Sequence, residues 1–274
     1  MEIENIEELP IQKFYYSMSH LLHIGHIDEN SPTDLISELY SIVDNYYLES
    51  LSILRSSKKI EERISNEIEV RLKESREKIE LHKKAKEHME ELEDREIADV
   101  IQSRHVSERE FKFKQLELEG EMNSLAAIVM FLSLLESTLF RLTLKLIELE
   151  TALPKMNEVM NRSDNGIVRY LKYFEKYIEK QEKPFIVGTK KYELIKFWLN
   201  VRNNIVHSNN VVKEEIINDA NRLKINISVN RFSIKFRFGH NDVMSVANLC
   251  GDVLNDCIEK GLFKYFSIEE EAEY

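Results

Sequence analysis

The residues best suited to chemistry gather in one short run, Arg202-Asn203-Asn204-Ile205-Val206-His207. Histidine suits proton transfer near neutral pH, because its unperturbed pKa is about 6.5. Arginine suits a phosphate, since its guanidinium stays charged and donates two parallel hydrogen bonds. Asn203 suits orienting either partner or holding a phosphate oxygen. Together these groups fit proton transfer beside a bound phosphate. The same residues also fit a surface ion-pair patch with a histidine favoured by the helix dipole at a C-terminus.

The element that must carry them is a helix. Residues 190–206 have apolar side chains at helical spacing, residues 184–189 read as the preceding loop, and Ser208-Asn209-Asn210 supply the stop. On an ideal helix, residues five apart diverge by about 140°. Arg202 and His207 therefore do not share a face. Either the helix loosens near Asn203-Asn204, or the site is shared between two chains.

One acid precedes the motif in an apolar helix, Glu136 in Leu134-Leu135-Glu136-Ser137-Thr138-Leu139. It is positioned to pair with Arg202 and hold it, or with Arg141 or Lys145 on its own helix. The run from Arg202 to His207 resembles the R-x4-6-H signature of the HEPN superfamily, whose active members are metal-independent ribonucleases. The resemblance covers the C-terminal half of the chain only. It implies an up-and-down helical bundle and a homodimer in which two motifs form one composite cleft. His207 would be the general acid or base, Arg202 the phosphate-stabilising group, Asn203 the positioning residue and Glu136 the support of Arg202. It also implies a toxin or antiphage effector that cuts tRNA or other RNA, with a regulatory or antitoxin protein as a further partner.

Two alternating segments, 223–229 and 232–238, predict a β-hairpin turning at Asn230-Arg231. Lys224, Arg231, Lys235 and Arg237 make the hairpin region basic in a chain of net charge −11. Such a local inversion suits contact with RNA phosphates. It equally suits an edge strand kept soluble by cations.

Elsewhere the expected organisation is mainly α. Residues 1–54 form an N-terminal helical segment, with a helix start at Ser31-Pro32-Thr33-Asp34. Residues 55–120 form a long charged arm, coiled-coil-like, with a thin stripe through Ile60, Ile64, Ile68, Leu72, Ile79, Met89, Leu92, Ile97 and Val100. It reads as one rod or an antiparallel hairpin ending at Gly120, used for dimerisation or for receiving a signal. Residues 121–266 form the helical bundle carrying the hairpin at 222–238, and 267–274 an acidic tail.

Bulk properties narrow the class. Hydrophobic residues are 43% and charged residues 32% of 274, as expected for a folded, charge-rich chain. Net acidity argues against non-specific coating of nucleic acid. Cys250 and Cys257 lie two turns apart on one predicted helix, too far for a disulfide, and read as buried thiols. Met1-Glu2-Ile3-Glu4-Asn5 is acidic where a signal peptide is basic, so a cytoplasmic protein is expected. The apolar stretch 124–135 is followed by Glu136 and Arg141, which predicts a core helix rather than a membrane span. His20, His23 and His26 resemble a metal cluster, but Gly25 interrupts the helix that would align them, so neither metal nor cofactor is expected. The alternative reading is a non-catalytic helical scaffold with an inert HEPN-like core. Alanine replacement of Arg202 or His207 separates the two: a scaffold keeps its effect and an enzyme loses it.

Overall fold

Two long helices set the architecture. In the computed structural model, described for residues 33–88, 92–149, 152–161, 164, 166–178, 186–208, 211–225, 227–230 and 235–259, helix α1 spans Thr33–Glu87 and helix α2 spans Leu92–Leu149. They run antiparallel. Lys86 Nζ meets Asp99 at 2.7 Å, Arg109 Nη1 donates to Ser75 Oγ at 2.7 Å, and Asn123 Nδ2 donates to Ser57 Oγ at 3.1 Å. Arg63 pairs with Glu119 and Lys145 with Glu38. The arm is thus the outer part of a helical hairpin. Gly120 does not end it: α2 passes through Gly120 without a break.

The seam of the arm is thinner and more polar than the expected stripe. Along α1 the side chains turned from solvent include Ile60, Ile64, Ile68, Arg71, Ser75, Ile79, His82 and Lys86. These positions repeat about every eleven residues, close to the 3.6 residues per turn of a straight helix. Leu72, Ile97 and Val100, expected on the stripe, are 40%, 59% and 68% exposed. Charged and hydroxyl groups hold the outer arm together where apolar contacts are few.

At the other end the same two helices enter a mainly α bundle. α1 contributes Leu39, Ile42, Val43, Tyr46, Ile53 and Leu54, and α2 contributes Ile128, Phe131, Leu132, Leu135, Leu139, Leu142 and Leu146. Each such side chain stabilises the fold by about 1.5–3 kcal/mol on full burial. By length and composition alone α2 could cross a membrane, but half of its most apolar stretch is buried inside the protein. The bundle is completed by α3 (Met156–Val159), α4 (Gly166–Tyr173, continuing as a π-helical turn to Ile178), α5 (Lys190–His207), α6 (Glu214–Leu223) and α7 (His240–Cys257). Cys250 and Cys257 are buried thiols on α7, and burial pushes the Cys250 thiol well above its ordinary pKa.

The hairpin differs from its expected form. Strand β1 is Ser228–Asn230 and β2 is Lys235–Arg237, with Val229 opposite Phe236. Asn230 stands opposite Lys235, so the register excludes a two-residue turn at Asn230-Arg231. Leu223 belongs to α6, where Ile216 and Ala220 are buried and Glu214 and Glu215 favour the N-terminus. This helix escapes a reading of the sequence because its last turn runs into the alternating pattern of a strand. Phe236 and Phe238 anchor the hairpin on the bundle, with the Phe238 ring 5.4 Å from that of Trp198 on α5.

Gly120 gives a direct test of the continuous helix. A Cβ there would meet Ile64 Cδ1 at 3.6 Å, ordinary van der Waals contact. Gly120→Ala should therefore raise stability by about 0.5–1 kcal/mol, measured as a higher urea midpoint. A lower midpoint would mean that the helix bends or ends at this residue.

Candidate functional site

Helix α5 begins at Thr189, whose hydroxyl accepts the Tyr192 N–H at 3.3 Å. Tyr192, Ile195, Trp198 and Val201 then step along its buried side. The next position on that side is Asn204, only 3% exposed, and neither its Oδ1 nor its Nδ2 has a hydrogen-bond partner among the described residues. A buried, unpaired amide costs about 1–3 kcal/mol. The apolar core thus gives way to polar groups one turn before the helix ends.

The helix stays regular to its end. Ser208 N–H donates to Asn204 O at 2.9 Å, the ordinary closing bond of an α-helix. Loosening near Asn203-Asn204 is therefore not how this chain reconciles Arg202 with His207. Within one chain the two residues diverge by about 140°. Asn203 and His207, four residues apart, share a face, and both are exposed.

Arg202 turns the other way. Its Nη1 donates to Glu136 Oε2 at 2.7 Å, with the two side chains 27% and 30% exposed. This charge-assisted bond joins the middle of the apolar part of α2 to the motif helix. Discounted for solvent screening at that exposure, it contributes on the order of 1 kcal/mol. Its structural value is larger, because it fixes which way the guanidinium points.

Two residues around Glu136 join the site only once the chain is folded. Gly166 opens α4 with φ +57°, and a Cβ there would come within 3.0 Å of Glu136 Oε1. Only glycine serves both demands, the left-handed backbone and the close approach of the carboxylate. Tyr170, one turn further on, packs its ring 6.0 Å from that of Phe140. Burial, and next the Glu136 charge, hold the Tyr170 hydroxyl above its usual pKa. In the sequence, the available signal for Gly166 is a lone glycine opening a helix after a polar loop.

The expected basic hairpin is dispersed. Arg237 pairs with Glu121 and, at 3.6 Å, with Glu117, both on α2. It fastens the hairpin to the base of the arm instead of presenting a free charge. Lys235 lies on the same face of β2 and is half-buried. Lys224 is not on a strand; it caps α6 in the left-handed conformation, at φ 58°. Arg231, the histidines His20, His23 and His26, and the acidic tail lie outside the described residues. Among the described residues no group of His, Cys, Asp and Glu has the arrangement of a metal site.

The chain matches no protein-family model, no curated protein and no solved structure. Its functional reading therefore rests on the geometry of the site and not on a relative.

Gly166→Ala tests the packing around Glu136. It should lower stability by more than about 1 kcal/mol, because the new side chain meets both a positive φ and the carboxylate. Urea unfolding measures this, and an unchanged midpoint would show that the α4 start is free to move away from Glu136.

Proposed function

We propose that the chain is a metal-independent endoribonuclease of HEPN type, acting as a cytoplasmic homodimer on tRNA or another RNA in toxin or antiphage defence. The observation that carries this reading is the Glu136–Arg202 bond at 2.7 Å. It supports an arginine held in one orientation beside an exposed Asn203 and His207 at the open end of a packed helix. A fixed guanidinium stabilises charge on a phosphate without having to reorganise during the reaction. His207 then moves the protons, and Asn203 positions the phosphate or the imidazole.

The 140° divergence gives the homodimer its role. Two α5 ends related by a two-fold axis would put Arg202 of one chain near His207 of the other. A regulatory or antitoxin protein would hold such an activity in check until a trigger arrives. The hairpin contribution to RNA binding falls to Lys235 and Arg231, since Arg237 is neutralised by Glu117 and Glu121.

His207→Ala is the test of the reaction. The variant should fold as the wild type does and lose RNA cleavage by at least about a hundredfold, the scale of a general acid–base group. Bacterial growth during expression, with sequencing of RNA ends, reads both toxicity and target. Cleavage at the wild-type rate would remove His207 from the chemistry. Unchanged toxicity of Arg202→Ala and His207→Ala would favour the scaffold reading.

A further inference from the structure

Helix α2 is apolar on two opposite sides. One side is the seam with α1 and, further along, the core of the bundle. The other carries nine large apolar side chains between Ile97 and Leu144 that are 44–68% exposed. At about 100° per residue they all fall within roughly a third of the circumference. A helix apolar all round is normally a buried helix, and this one is covered along one side, the other being met at Phe140 by Tyr170 and otherwise largely exposed. An apolar face of this length, interrupted by Arg104, Glu108, Lys112, Gln115 and Glu119, marks an interaction surface.

For eight of these nine residues the order along that face reads the same from either end; the ninth, Val100, corresponds to Arg141. Ile97 and Leu144, Ile101 and Phe140, and Phe111 and Met130 stand at equal distances from the midpoint between Gly120 and Glu121. Leu118 and Met122 straddle the midpoint to within one residue. Among the polar interruptions on this arc, Arg104 corresponds to Ser137, Glu108 to Ser133, Lys112 to Val129 and Gln115 to Ala126, while Glu119 corresponds to Met122. Four of the five long polar side chains therefore correspond to small ones. Turned end for end, such a face fits itself, which is what a self-complementary two-fold interface requires.

We propose that the outward face of α2 packs against the same face of a second copy of this chain, antiparallel, about a two-fold axis beside Gly120. The dimensions suit this occupant. From Ile97 to Leu144 the helix rises about 70 Å, and at roughly 10 Å width it presents about 700 Å². A stable interface takes about 800 Å² from each partner. A lipid surface would require no mirrored order and would exclude the charged pair Arg104–Glu108, which closes at 3.4 Å on this face.

This pairing does not rest on the ribonuclease reading. It sets the two Glu136 residues about 46 Å apart along the paired helices, so it is separate from any meeting of two Arg202–His207 motifs. A chain that makes both pairings assembles as a tetramer, and one that makes the α2 pairing alone assembles as a dimer.

The test combines mass and cross-linking. The full chain is compared by sedimentation with Phe111→Glu/Met130→Glu, helicity being checked by circular dichroism. The exposed substitutions should leave helicity intact and halve the mass, from tetramer to dimer or from dimer to monomer. Ile101→Cys and Phe140→Cys chains are then co-expressed with different tags and treated with a short bismaleimide. The mixed pair should cross-link, and Ile101→Cys should not cross-link to itself, its two thiols being about 58 Å apart in the antiparallel arrangement. An unchanged mass in the double variant, self-cross-linking of Ile101→Cys, or a monomeric wild type that binds phosphatidylcholine vesicles would each overturn the proposal.

Discussion

Burial of one side of α2 is the constraint on which the rest depends. From Leu125 to Leu146 this helix supplies the central wall of the core, with α1, α4, α5 and α7 packed on it. Because the helix is continuous, the geometry of the bundle is transmitted to the arm without a joint. Arg237 reinforces the junction from the hairpin side, through Glu117 and Glu121. A long rigid element that is fixed at one end and charged at the other suits assembly or signal reception better than it suits enclosing a substrate.

Glu136 sits on the same wall, and its placement is a consequence of the packing. Its neighbours Leu135 and Leu139 are fully buried, so the carboxylate is held at the edge of the core, where solvent still reaches it. Arg202 reaches that edge from α5, and Gly166 lets the start of α4 close over the carboxylate. An acid on an apolar helix needs a cationic partner or water at this depth, and the arginine of the motif is the partner it finds. The core thus orients Arg202, while Asn203 and His207 stay exposed on the next face of the same helix.

The helical framework is legible in the sequence because its periodic segments are long. The motif helix ends within a residue of its expected C-terminus, and the Glu136–Arg202 pair is signalled by one acid standing alone in an apolar run. Three features are not legible. Gly120 reads as a stop, yet in a helix packed along α1 its cost of about 1 kcal/mol is small against the contacts around it. The alternation across 223–229 reads as strand, but Leu223 completes the apolar side of α6. The seam of the arm is decided by pairing with α1, so Ile97 and Val100 lie outside it although their spacing would admit them. Arg237 illustrates the general difficulty with charge: its sign is plain, but its partners lie 116 and 120 residues away in the chain.

We propose that Glu136 holds Arg202 for a phosphate. The most direct measurement compares urea stability and RNA cleavage in the wild type, Glu136→Arg, Arg202→Glu and the double exchange. Each single change sets like charges against each other and should lose both properties. The double exchange should recover stability beyond the sum of the singles, since the pair is restored in reverse, yet leave cleavage absent, since the guanidinium now lies on α2. Additive stabilities would contradict the pairing, and cleavage by the exchanged protein would contradict the role assigned to Arg202.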